Sequence, residues 1–139
     1  MAYCTYDDVE MRIGASDLAA LADYDGDGDA DADVVARAIQ DACALVDSYL
    51  SVRFSVPVSP VPDALRTCAV NLAVYFLRLG RDSVTGDVRA QYEADVAWLG
   101  DVAAGAASLG VEPAPQEGSG AGGVRFEGEQ RIFGRSEPL

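Results

Sequence analysis

The chain has 139 residues, enough for one domain with a modest hydrophobic core. Ten basic residues, all of them arginine, face twenty-three acids, for a formal net charge of −13, and there is no histidine. This excludes Ser-His-Asp chemistry, histidine-assisted cysteine catalysis and histidine-based metal sites, and it disfavours gripping of DNA or anionic lipid, which needs clustered cations.

The first residues, Met1-Ala2-Tyr3-Cys4-Thr5, lack the charged start and apolar core of a secretory signal. Thr5 is placed to cap a short helix whose first turn holds Asp7 and Asp8, where the helix dipole favours acids. Val9, Met11 and Ile13 supply its apolar contacts, and Gly14 ends it. Ser16 is placed to cap a second short piece through Leu18 and Leu21. The run Asp23 to Asp33 follows and begins as a loop, because its glycines and repelling carboxylates oppose regular structure.

Val35, Ile39, Ala42, Val46 and Tyr49 or Leu50 then recur every three or four residues, as one face of a long helix. Asp31 or Asp33 is its expected N-cap. Three prolines between Pro57 and Pro62 forbid helix and predict an extended crossing. The next helix starts at Pro62 and Asp63. Its face is Leu65, Cys68 or Ala69, Leu72, Tyr75 or Phe76, and Leu79, with Gly80 as terminator. The last long helix carries Val88, Tyr92, Val96, Leu99 and Val102 or Ala103, widened by Trp98, and Gly100, Gly105 and Gly110 weaken its end. No apolar run approaches the length that spans a bilayer.

The organisation is therefore all-α: a small bundle of three main helices plus short N-terminal helices over residues 1–110. Residues 111–139 form an arm rich in glycine and proline, expected to order on a partner. Within the arm, Arg125 and Phe126, then Arg131, Ile132, Phe133 and Arg135, combine apolar contacts with guanidinium groups suited to carboxylates on another chain. Cys4, Cys43 and Cys68 fit no metal spacing and read as reduced core thiols, with a Cys43–Cys68 disulfide left open.

The acidic run has the spacing of a calcium loop. With Asp23 as first ligand, Asp25 and Asp27 fall at the third and fifth positions. Gly28 falls at the sixth, where a sharp turn is needed, Asp29 offers its carbonyl at the seventh, and Asp31 is ninth. The twelfth position is Val34 instead of a bidentate acid, with Asp33 beside it. Calcium and a merely solvated acidic loop both remain open on these residues. No nucleophile has a base beside it, and no glycine-rich phosphate loop is present, so the chain is not expected to be an enzyme or to require a cofactor.

Several pieces recur together in a known order. They are Tyr3-Cys4-Thr5-Tyr6-Asp7-Asp8 with Arg12, the Asp-Gly loop, Ala38-Ile39-Gln40-Asp41-Ala42 and Val46-Asp47-Ser48-Tyr49-Leu50. Then come Arg53-Phe54-Ser55-Val56-Pro57-Val58, Val61-Pro62-Asp63-Ala64-Leu65 and Tyr92-Glu93-Ala94-Asp95-Val96-Ala97-Trp98-Leu99. Ala104-Gly105 and Arg131-Ile132-Phe133-Gly134-Arg135 complete the set. In this order they resemble the Mu-like phage and prophage head–tail neck proteins, long catalogued as a domain of unknown function. The resemblance implies a virion adaptor made in the bacterial cytoplasm and built into the neck, as a ring, by analogy a dodecamer. It implies an arm docked on the portal protein, other loops facing a tail stopper or tail-terminator protein, and genomic DNA passing through without specific binding. It transfers no catalytic residue. The alternative from the residues is a calcium-binding interaction module built on Asp23–Asp33.

Overall fold

The computed structural model describes residues 2–111 and 113, and the descriptions below concern these. They hold five helices: α1 (Tyr6–Ile13), α2 (Ala15–Ala22), α3 (Ala32–Leu50), α4 (Asp63–Gly80) and α5 (Gly86–Ala104). No strand occurs among them. The expected all-α bundle of three long and two short helices is what forms. The arm residues singled out above lie outside the described residues.

Local chemistry sets the boundaries. Thr5 and Asp8 form a reciprocal capping box: the Thr5 hydroxyl accepts the Asp8 N–H and the Asp8 carboxylate accepts the Thr5 N–H. Gly14, at φ +90, ends α1 and begins α2 in one residue, donating its N–H to Glu10 and accepting from Leu18. This single-glycine turn leaves no room for the expected Ser16 cap, and Ser16 lies in the first turn of α2. α5 starts under a Thr85 cap and stops at Gly105 in the left-handed region.

α3 and α4 form the central pair, α1 and α2 cover one part of it, and α5 packs on both long helices. α3 buries Val35, Ala38, Ile39, Ala42, Cys43, Val46 and Leu50, the stripe its period predicts. α4 is more deeply enclosed. Besides Leu65, Cys68, Ala69, Leu72 and Ala73 it buries Val70, Tyr75 and Leu77, so neighbours cover more than one of its faces. Each fully buried leucine, such as Leu65 or Leu72, contributes roughly 1.5–3 kcal/mol by leaving water.

Three expectations about apolar residues change. Met11 is 84 % exposed, because α1 is only two turns long and turns Val9 and Ile13 inward instead. Leu79 is half exposed, and Leu77 takes the buried place near that helix end. α5 fully buries only Leu99 and Val102, while Tyr92, Val96 and Trp98 pack against the core edge. The Tyr92 ring stacks on Tyr75 at 4.0 Å between centroids, and Phe76 meets both rings edge-on.

The proline segment between α3 and α4 is anchored through Phe54 and Val58, both buried. Tyr3 holds it to the rest. Its hydroxyl donates to the Asp47 carboxylate and accepts the Val58 N–H at 3.0 Å, while its own N–H reaches the Cys43 sulfur at 3.3 Å. Burial is the first cause that raises the Tyr3 hydroxyl pKa, followed by the bond to Asp47. All three cysteines are buried and free. Burial pushes the Cys4 and Cys68 thiols up to about 12, so neither forms a thiolate at neutral pH.

Candidate functional site

The densest group of functional side chains lies between α2 and α3. The loop is closed at its base by the Asp31 N–H donating to the Ala22 carbonyl at 2.9 Å. Inside it, carboxylates fold the backbone around themselves. Asp23 accepts the N–H groups of Gly26, Asp27 and Gly28 at 2.8, 3.1 and 2.8 Å. Asp25 accepts from Asp27, Asp27 from Asp29, and Asp31 from Tyr24. Gly26 and Gly28 adopt positive φ, which lets the chain turn this tightly.

The consequence is convergence. One carboxylate oxygen each from Asp23, Asp25, Asp27 and Asp31 lies within 4.8 Å of the other three. Oxygens on opposite sides of a Ca²⁺ ion sit at about twice the 2.3–2.6 Å metal–oxygen distance, so the donor set fits a hard divalent cation. Of the five candidate aspartates, four bring their carboxylates together. The fifth, Asp29, is not in the group, and its expected contribution was its carbonyl. Asp31, at the ninth position, is the last carboxylate of the group, and Asp33 belongs to the first turn of α3. Asp31 precedes α3 in the N-cap position but makes no side-chain cap, because its carboxylate is turned to Tyr24 in the loop.

The charges respond to this crowding. The Gly28 N–H, then those of Gly26 and Asp27, hold the Asp23 carboxyl below its ordinary value. Asp25 also gains from the Asp27 N–H, yet lost hydration and the neighbouring Asp23 and Asp27 carboxyls together raise it. The two shifts oppose each other, as when neighbouring carboxylates divide their protons unequally.

An arginine with no motif around it fixes the loop to the bundle. Arg81, just beyond α4, donates to the Asp23 carbonyl at 2.7 Å and the Leu21 carbonyl at 3.3 Å. Its guanidinium lies 4.4 Å from the Tyr24 ring centre. Gly80 is the last residue of α4, where the sequence expects the helix to stop. A Cβ at that position would come within 2.9 Å of the Tyr24 hydroxyl, the tip of an exposed side chain. The only local signal was an arginine following the glycine, which reads equally well as an exposed charge.

A second polar group joins α1, α4 and α5. Arg12 donates to the Asn71 side-chain oxygen, and Gln91 donates to Asp95 at 3.2 Å. The other Asp95 oxygen is buried without a partner. Burial raises the Asp95 pKa, with Gln91, Asn71 and Arg12 only partly compensating. Among the described residues no helix is long and apolar enough to cross a membrane.

Comparison with known proteins places the chain. The family model described as Bacteriophage Mu, Gp36 matches residues 3–127. The Mu-like prophage FluMu protein gp36 of Haemophilus influenzae is 33% identical over 102 residues, 73% of this chain and 71% of that protein. Gene product J of Escherichia phage Mu is 33% identical over 108 residues, 75% of this chain and 73% of its own length. The matched span takes in all five helices and the aspartate loop, and the chain belongs to the Mu Gp36 family of phage and prophage proteins.

Proposed function

We propose that this protein is a structural head–tail connector, an adaptor subunit forming a ring in the neck of a tailed phage or phage-like particle. The observation that carries the reading is membership of a Mu phage family, with a match that runs from residue 3 through the helices and into the arm. The small helical bundle supports it: five helices make a compact unit, and the remaining segment carries arginines and aromatics suited to another chain. In this reading the ring, by analogy a dodecamer, sits between the portal protein and the tail stopper or tail terminator. The arm, through Arg125, Phe126, Arg131, Ile132, Phe133 and Arg135, meets partner chains. The net charge of −13 lets genomic DNA pass without sticking. The role is mechanical and involves no catalytic step. Disrupting the gene in the parent phage tests it. Filled heads and separate tails are expected, rejoined by the intact protein supplied in trans; normal joined particles would contradict it.

A second reading is favoured by one observation, the convergence of the Asp23, Asp25, Asp27 and Asp31 carboxylates. We propose that this loop holds Ca²⁺ as a structural ion, compatible with the connector role. Bound only to the folded chain, the ion raises the melting temperature. Calorimetric titration of Ca²⁺ into the metal-free protein is expected to give saturable heat that Asp23→Asn and Asp25→Asn remove. No heat at millimolar Ca²⁺ would contradict it.

A further inference from the structure

A recess of about 200 Å³ lies where the end of α1 meets α4 and the first turns of α5. Helical spacing builds it. Asn71, Val74 and Arg78 follow one another at three and four residues along α4, so they share a face. Val88 and Gln91 do the same on α5, and Arg12 and Ile13 close the third side from α1. The lining is therefore mixed. Ile13, Val74 and Val88 are apolar and half-buried, and two arginine side chains stand beside them.

Two arginines in one recess are notable in a chain with ten bases against twenty-three acids. Each occupies the last turn of its helix, where the dipole favours a cation. That accounts for a base at each helix end and not for their convergence. Among the described residues the ion pair formed is Arg66–Asp63, so neither Arg12 nor Arg78 is neutralised by direct contact with an acid. Arg12 is held instead by the neutral side-chain oxygen of Asn71. Asp95, one turn further along α5, is engaged by Gln91 at 3.2 Å. Its single negative charge set against two arginines leaves the group positive.

We propose that this recess receives the carboxylate of an acidic side chain presented by a partner protein. Arginine forks hold a carboxylate through paired N–H donors, and the apolar lining covers the methylene stem. The volume suits one side chain, since pockets for whole small-molecule ligands run to about 300–1,000 Å³. A net charge of −13 repels an acidic partner over the surface at large. The recess is where such a partner gains an attractive contact, and that contrast fixes its register. The inference rests on the recess itself and does not depend on the connector reading.

The test follows the full ¹⁵N-labelled chain by NMR as acetyl-Leu-Glu-Leu-amide is added at constant ionic strength. Saturable shifts are expected at the Arg12 and Arg78 side-chain Nε–H signals and at the Gln91 side-chain amide. Acetyl-Leu-Gln-Leu-amide, equal in size and uncharged, should bind at least fivefold more weakly. Arg78→Gln should weaken binding of the glutamate peptide by the same factor with helical content unchanged, and Arg12→Gln serves if that variant does not fold. No saturation at tens of millimolar peptide, equal binding of the two peptides, or shifts spread evenly over Arg37, Arg53 and Arg66 would overturn the proposal. Free isovalerate separates the two sources of a carboxylate. If it saturates the same signals where the peptide does not, the recess takes a free acid and the side-chain assignment fails.

Discussion

The α3–α4 core and the Asp23–Asp31 loop are adjacent in space but held by opposite means. The core is stabilised by apolar side chains leaving water, with Leu65, Leu72 and Val46 fully buried. The loop has almost no buried side chain, and its shape comes from carboxylates accepting backbone N–H groups. The first rests on burial; the second concentrates negative charge on an exposed turn. The difference teaches that the same short chain can keep an apolar scaffold while holding an acidic segment by backbone hydrogen bonds.

The largest expected effect is in the core. Leu72→Ala should cost about 2–5 kcal/mol in chemical denaturation, with no change in any Ca²⁺ response. A loss under 1 kcal/mol would mean that α4 is not the enclosed centre of the bundle. Next comes Tyr3→Phe, which leaves the Val58 N–H and Asp47 carboxylate without their shared partner. About 1–3 kcal/mol should be lost, measured in the same way.

Asp95 sharpens the comparison, because it is a carboxylate at the edge of the core with one oxygen buried. Its folded pKa is raised by burial, so the folded state holds the proton more tightly than the unfolded chain. Its contribution is favourable below the unfolded value near 4 and is lost as pH rises through the raised folded value. Asp95→Asn should therefore stabilise the protein at pH 7 by about 1 kcal/mol, at the low end for an unsatisfied group because Asp95 is only partly buried. The gain should shrink toward pH 4, as thermal melts across that range will show. Asp23 has the opposite sign. Its folded pKa is lowered, so its contribution is present above the unfolded value and fades as pH falls.

The smallest global effect belongs to the loop. Arg81→Ala removes two hydrogen bonds and the stack on Tyr24. It should lower stability by only about 0.5–1.5 kcal/mol, while amide exchange quickens over residues 23–31 and not in α4.

Much of the fold was legible because helix period and capping are local. The α3 stripe, the Thr5 cap and the stop at Gly105 all follow from residues within a few positions of each other. The misjudged residues depend on distant partners. Met11 and Leu79 sit in apolar patterns, and only the packing of other helices decides that they face out. Gly80 reads as a terminator and α4 ends there, whereas the nearness of the Tyr24 hydroxyl, 56 positions earlier in the chain, has no local signal. The loop was legible as a ligand spacing, since alternate aspartates on a glycine turn must converge. The place of Asp31 in the carboxylate group rests on the Ala22–Asp31 closure, which spacing alone does not give. The family resemblance read from ordered motifs agrees with the Mu Gp36 match.

Cryo-electron microscopy of the neck of the parent particle tests the central claim most directly. The account predicts a closed ring of this five-helix chain between the portal and the first tail ring. A neck resolved in full without this chain, or the chain found elsewhere in the particle, would contradict it.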